Sequence, residues 1–116
     1  MAKFFYGQSS KNSQWYFRLK DNNNETILSS TEGYTTKQGC LNGIDSVKKH
    51  SPHEQYYKSF LGADSKYYFT LLASNREPIG KSEGYNTSAG RDKGKENCKN
   101  EAPTATVHEV VGSYSQ

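Results

Sequence analysis

The sequence predicts an α+β domain in which a meander of strands followed by a helix occurs twice. An internal duplication is the first observation: Phe17 aligns with Phe69 and Ile27 with Ile79, 52 residues apart, and after Ser30 the spacing falls to 51. The second is a period-two alternation of apolar and polar side chains at the same place in both copies. The third is a segment after each meander with the signals of a helix start.

Length and composition favour one domain over two. Each repeat of about 50 residues would bury too little surface to fold alone, so we expect 116 residues to form a single unit. Repeat one spans about 1–53, repeat two about 54–111, and residues 112–116 are predicted to be a loose tail. Hydrophobic residues make up only 32% of the chain, so the burial must come largely from aromatic rings.

The strands follow from the alternation. A first strand is predicted over residues 4–8. In the repeated strand, Trp15, Phe17 and Leu19 form one apolar side, and the second copy repeats this pattern from Tyr67. The next strands are predicted over residues 25–30 and 77–82. Proline has no amide donor, so the latter strand must begin at Pro78 or lie at a sheet edge.

Two helices are predicted, over residues 37–49 and 88–99. Thr35 and Gln38 have the spacing of a capping box at the first. The second is less apolar and is expected to be shorter or more exposed. Both helices contain Gly-x-x-x-Gly. Because glycine lowers helix propensity, its repetition predicts that the helix backbone closely approaches the sheet or the other helix. A strand is predicted over residues 53–60, with residues 104–111 as its counterpart.

These residues resemble a known family. Four segments carry the resemblance: Phe-x-Leu, Glu-Gly-Tyr-x-Thr, the Asn-Gly-Ile-Asp-Ser-Val-Lys-Lys segment from Asn42, and Glu-Ala-Pro from Glu101. Together they resemble the YegP-like family of small bacterial proteins. The resemblance implies two tandem β3-α-β repeats that form a single, mainly antiparallel sheet with exchanged C-terminal strands and two helices on one face. It implies no activity. The second helix departs from the family pattern at Lys93-Gly94-Lys95.

The chemical signals favour structural roles. The two Glu-Gly-Tyr turns are interpreted as structural; their residues are Glu32, Gly33, Tyr34, Glu83, Gly84 and Tyr85. An enzyme with a site beside these turns is the least favoured alternative. His50 and His53 have a metal-like spacing, but Pro52 separates them, so we interpret them as a solvated helix end. Cys98 is interpreted as a small buried apolar residue. No catalytic residue, metal site or cofactor is predicted.

The sheet face away from the helices is the predicted binding surface. Its candidate contact residues are Tyr16, Arg18, Lys20, Tyr68, Thr70 and Leu72. The first hypothesis is a non-enzymatic binding or accessory module that contacts a protein partner there. The alternative is single-stranded nucleic acid, bound by stacking on the same aromatic and basic face. No apolar run is long enough for a membrane span, so we expect a cytoplasmic protein, monomeric or self-associating through this face.

Overall fold

The computed structural model describes residues 1–114, and over that range the chain forms one seven-stranded sheet in the order β4-β5-β6-β3-β2-β1-β7. All neighbouring strands are antiparallel except β1 and β7, which are parallel. The strands are β1 (Lys3–Gln8), β2 (Trp15–Lys20), β3 (Thr26–Ser29), β4 (Tyr57–Leu61), β5 (Tyr67–Leu72), β6 (Pro78–Lys81) and β7 (Thr106–Glu109). The predicted α+β class is confirmed, and β6 begins at its proline.

The C-terminal strand is exchanged between the repeats, as the family resemblance implied. β7 follows the helix of repeat two but pairs with β1 of repeat one. The two halves of the sheet meet at β3 and β6, where the ladder consists of the single pair Ser29 and Lys81. At this seam Leu28 lies over Gly80, where an added Cβ would be 2.5 Å from the leucine Cδ2.

Both helices cover one face of the sheet. They are α1 (Lys37–His50) and α2 (Ser88–Glu101), of 14 residues each. The core between helices and sheet is aromatic and aliphatic, with Phe4, Phe17 and Phe69 almost completely buried. Cys40 and Cys98 are free, buried thiols, as predicted for Cys98. Within residues 1–114 no helix is long and apolar enough to cross a bilayer.

Both helices begin where they were predicted to begin, at Lys37 and Ser88, but the predicted cap of α1 is wrong by one residue. Thr36, not Thr35, is the N-cap of α1, and its Oγ1 accepts a hydrogen bond from the Gly39 amide at 2.9 Å. Thr87 caps α2 in the same way. The second helix was expected to be shorter or more exposed. It is as long as the first but more exposed, since α2 buries only Gly94 and Cys98.

The repeated glycines are explained by the repeated tyrosines. An added Cβ at Gly43 would be 2.5 Å from the Tyr34 hydroxyl, and one at Gly94 would be 2.2 Å from the Tyr85 hydroxyl. The first glycine of each motif has no tyrosine so close: an added Cβ at Gly39 or Gly90 would lie 3.7 Å from the nearest tyrosine atom. The close approach that the sequence predicted is therefore made by one glycine per helix. Its partner is the tyrosine of the Glu-Gly-Tyr turn rather than the sheet backbone or the other helix.

The predicted strands over residues 53–60 and 104–111 and the predicted solvation of His50 need correction. Residues 53–60 do not form one strand: a 3-10 turn over Glu54–Tyr56 precedes β4, and a similar turn over Ala102–Thr104 precedes β7. His50 is buried at 5% exposure rather than solvated. Its Nδ1 lies 2.8 Å from the Ser46 carbonyl oxygen, and its Nε2 accepts from the Ser74 amide at 3.1 Å, so the ring joins α1 to the β5–β6 turn.

The C-terminal segment is not a loose tail where the structure describes it. The Tyr114 amide donates to the Gln8 carbonyl at 2.9 Å, and the Tyr114 side chain is only 5% exposed. The physical reason is an aromatic slot on the sheet, described below. The rest of the predicted tail, residues 115 and 116, lies outside the described residues.

We expect Gly94→Ala to destabilise the protein by about 1–3 kcal/mol, because the methyl group overpacks against the Tyr85 hydroxyl. The matched control is Gly90→Ala on the same helix, where the gain in helix propensity of about 1 kcal/mol offsets a mild contact. Urea unfolding measures both free energies. Equal losses in the two variants would contradict the assigned contact.

We expect His50→Ala to lower the free energy of unfolding by about 1–3 kcal/mol, because the Ser74 amide would lose its buried acceptor. The control His53→Ala removes an exposed ring from the same helix end and should change stability by less than about 0.5 kcal/mol. Thermal and urea denaturation measure the difference, and a harmless His50→Ala would show that the link is not structural.

Candidate interaction surface

The sheet face away from the helices, called the open face below, has one continuous row of side chains from edge to edge. Residues directly opposite each other on neighbouring strands share a face and lie about 5 Å apart. The pairing registers place in this row Lys58, Thr70, Lys81, Ser29, Arg18, Phe5 and His108. The row therefore joins both repeats across the seam.

The open face is strongly positive. Its strand residues include Lys3, Arg18, Lys20, Lys58 and Lys81, and no Asp or Glu lies on that face of β1 to β7. The whole chain has fifteen basic and twelve acidic residues, so removing these five cations leaves ten basic against twelve acidic residues. The basic character of the protein is thus concentrated on one side of the sheet.

On repeat one, the open face is covered by the chain's own C-terminal segment. Tyr114 stacks on Tyr16 with ring centroids 6.5 Å apart and planes at 15°. Its hydroxyl accepts a hydrogen bond from Arg18 Nε at 2.8 Å, and the guanidinium lies 5.0 Å from the ring centroid. Burial raises the pKa of Tyr114, although the charge of Arg18 and its hydrogen bond act in the opposite direction.

The slot that Tyr114 fills exists because β1 has a glycine there. Gly7 is opposite Tyr16, and an added Cβ would be 2.8 Å from Tyr114 Cδ1. In repeat two the equivalent position, opposite Tyr68, is occupied by Phe60, which stacks on Tyr68 at 5.4 Å and 12°. The tail tyrosine therefore supplies in repeat one the ring that Phe60 supplies in repeat two.

The open face of repeat two is uncovered and concave. A groove of about 670 Å³ is lined by Lys58, Phe60, Thr70, Leu72, Arg76 and Pro78. Phe60 is 41% exposed, whereas Leu72 forms the floor at 7% exposure. Cations stand at Lys58 and Arg76. This combination, an apolar centre with charged groups around it, is typical of a protein docking site.

The structure places the six predicted contact residues on one face but does not bring them together. Arg18 and Thr70 are separated in the row by Ser29 and Lys81, a distance of about 14 Å at ordinary strand spacing. Tyr16 and Arg18 are engaged by the tail, while Lys20 lies opposite Lys3. Leu72 is a buried floor residue rather than an exposed contact.

Sequence reasoning missed the residues that distinguish the two halves. Lys58, Phe60 and Lys81 line or border the groove, and Tyr114 closes the other half. The 52-residue spacing of the repeats pairs Gly7 with Ser59 rather than with Phe60. Only the structure, in which the loop after β4 is one residue shorter than the loop after β1, shows that repeat one lacks the ring that Phe60 provides. Which segment supplies that ring depends on the path of the tail, which no local pattern indicates.

The Glu-Gly-Tyr turns position the helices. Tyr34 forms a bridge with Trp15, with both amide-to-carbonyl hydrogen bonds at 2.8 Å, and Tyr85 does the same with Tyr67. Gly33 is required because an added Cβ would be 2.9 Å from the Tyr16 ring. These contacts account for the glycine and the tyrosine of the repeated motif without any ligand.

A depression of about 540 Å³ does lie beside the second turn. It brings Asp21 and Glu25 of repeat one close to Glu83, Tyr85 and Lys93 of repeat two. Asp21 Oδ1 accepts from the Asn23 and Glu25 amides at 2.9 and 3.0 Å, as a turn cap. The lining contains no histidine or cysteine. Among residues 1–114, no three His, Cys, Asp or Glu side chains are grouped so that they could hold a metal ion.

Comparison with known proteins identifies the family. The model of the domain of unknown function DUF1508 matches twice, at residues 10–57 and 63–109. The chain belongs to this family. A UPF0339 protein encoded in the 5′ region of the ptx operon of Stutzerimonas stutzeri is 44% identical over 110 residues, covering 95% of this chain and 98% of that protein. The predicted resemblance to YegP-like proteins is thus confirmed, and the family is one of unknown function.

Solved structures of family members share the fold. The solution NMR structure of yegP from E. coli, a protein of unknown function, matches with a TM-score of 0.87 and 38% identity over 97% of this chain and 96% of that one. That of the UPF0339 protein SO3888 from Shewanella oneidensis matches with a TM-score of 0.85 and 39% identity, covering 93% and 90%.

We expect Tyr114→Ala to lower the free energy of unfolding by about 2 kcal/mol, because a buried ring and its stacking contact are lost. Gly7→Ala should cause a similar loss by narrowing the slot, and the double variant should lose less than the sum. The control Val111→Ala alters a residue that is 95% exposed and should be neutral. Additive losses in urea unfolding would contradict a shared slot.

Proposed function

We propose that this protein is a non-enzymatic binding module that docks an acidic segment of a protein partner in the groove of repeat two. The observation that supports it is an apolar groove on a sheet face whose strands hold only positive charges. Phe60 and Leu72 supply apolar area, and Lys58, Arg76 and Lys81 supply charge. A carboxylate-bearing segment with an apolar anchor has the complementary chemistry.

The geometry favours a protein over single-stranded nucleic acid. Binding of a single strand uses several aromatic faces on which successive bases stack. Tyr16 is covered by Tyr114 and Tyr68 by Phe60, which leaves Phe60 as the exposed ring of the groove. Arg18 is held by the tail tyrosine. Nucleic acid is therefore an outcome to be tested rather than a second proposal.

We propose that the protein acts as a monomer in the cytoplasm. The two buried cysteines are free thiols, which suits a reducing compartment. A monomer leaves the groove accessible.

Site-directed photo-cross-linking in the native host tests the proposal. A photoreactive amino acid at position 81, at the rim of the groove, should cross-link a protein with an acidic contact segment. The matched control places the same group at position 49, on the exposed side of α1, and should not yield that adduct. We expect Phe60→Asp to reduce the adduct at least tenfold, because a central anchor is worth on the order of 2 kcal/mol.

Charge reversal separates the two kinds of partner. Lys58→Glu should weaken binding of the cross-linked protein, whereas Lys49→Glu, with the same charge change on the helical side, should not. Adducts that consist of nucleic acid, or equal adducts from positions 81 and 49, would contradict docking of a protein in this groove.

A further inference from the structure

The sheet is one strand short of its own symmetry. β4 of repeat two is the equivalent of β1 in repeat one, since Phe60 and Gly7 stand opposite the equivalent residues Tyr68 and Tyr16. β1 has β7 along its outer edge. Within the part of the chain that the structure describes, no strand lies along the outer edge of β4. The chain leaves α1 and enters β4 after one 3-10 turn, so it has no segment to place there.

The backbone of β4 is oriented to accept such a strand. In repeat one, the carbonyls of Tyr6 and Gln8 point outwards and accept from the Val110 and Tyr114 amides at 2.7 and 2.9 Å. Their equivalents in β4 are Ser59 and Leu61. The Gly62 amide donates to the Lys66 carbonyl across the hairpin, and groups alternate along an antiparallel ladder, so Ser59 and Leu61 point away from β5.

The outward groups of these two residues have no partner in residues 1–114: no hydrogen bond joins Ser59 or Leu61 to any segment outside the ladder. β4 is also exposed from Lys58 to Leu61, with Leu61 at 60% exposure. An uncovered apolar edge is a template for strand addition.

We propose that β4 receives the missing eighth strand from the partner, as an extended segment parallel to β4 with an acidic residue beside Lys58. The direction follows from β7, which runs parallel to β1. The charge follows from the register: His108 of β7 lies opposite Phe5, whose equivalent in β4 is Lys58. This inference rests on the proposed function for the class of partner and specifies its binding mode.

A second copy of the chain is a poorer occupant of the edge. Antiparallel self-pairing of β4 centred on Ser59 would place Lys58 opposite Phe60 of the second copy. The two Lys58 side chains would then be diagonal neighbours on one face, about 7–8 Å apart, and the two positive open faces would adjoin. A lysine in the middle of an edge strand is a known device against such pairing. The same lysine favours a segment with a carboxylate at that position.

The chain's own β7 sequence provides the probe. Two synthetic peptides comprise residues 104–111, one with His108→Glu and the other with His108→Lys. Each is titrated into the isotope-labelled full chain, and amide hydrogen exchange and NMR shifts are recorded. We expect the glutamate peptide to slow exchange at Ser59 and Leu61 and to bind several-fold more tightly than the lysine peptide. Lys58→Glu in the protein should reverse that preference.

The variant Ser59→Pro removes an outward amide without breaking the ladder to β5 and should weaken peptide binding at least tenfold. If Ser59→Pro does not fold, the reversal of the peptide preference by Lys58→Glu still tests strand addition. Shifts at Thr70 and Lys81 without protection of Ser59 and Leu61 would overturn strand addition while leaving the groove proposal standing. Three further results would each overturn strand addition by a partner: the peptide displaces β7, the protein dimerises through β4 on sedimentation, or no binding is detected at millimolar peptide.

Discussion

Packing across the seam between β3 and β6 is the constraint on which the rest of the structure depends. The ladder there contains one residue pair, Ser29 and Lys81, so backbone hydrogen bonds contribute little to joining the halves. The helices join them instead, because α1 packs on β1 and β2 of its own repeat and on β5 and β6 of the other. α2 packs on β3 and β5, and β7 ties the end of repeat two to the start of repeat one. Neither repeat has a complete core of its own.

A duplicated sequence cannot fold with perfect symmetry when both copies share one core. At the seam the equivalent residues are Leu28 and Gly80, and the leucine occupies the space of both. Two leucines would collide on the pseudo-twofold axis, so the second copy has glycine. The same principle applies at Gly7, where the missing ring is returned by Tyr114. At the seam the two duplicate positions diverged into a large and a small residue that fit together, whereas at Gly7 the ring comes from the tail and not from the duplicate position Phe60.

The elements with local patterns could be predicted from sequence, and those that depend on distant contacts could not. Alternation identified β2 and β5, and helical spacing identified α1. The buried state of His50 depends on Ser74, which is 24 residues away in sequence, and the docking of Tyr114 depends on Gly7 at the other end of the chain. Alternation predicted that the six candidate contact residues share one sheet face, but the division of that face into a covered and an open half depends on the tail. Thr36 rather than Thr35 became the cap because its hydroxyl reaches the Gly39 amide.

Connectivity explains why, among residues 1–114, the tail leaves the groove of repeat two and the outer edge of β4 uncovered. In a closed two-fold arrangement each helix would be followed by its own exchanged strand. Here the residues after α1 must begin repeat two, so β4 serves as the first strand of the second meander and cannot also provide an exchanged strand. The segment after α2 has no such second role, and it covers both the edge of β1 and the face of repeat one. The asymmetry of the surface is thus a consequence of joining two repeats in one chain, and it leaves the positive charges of Lys58 and Lys81 beside uncovered apolar area.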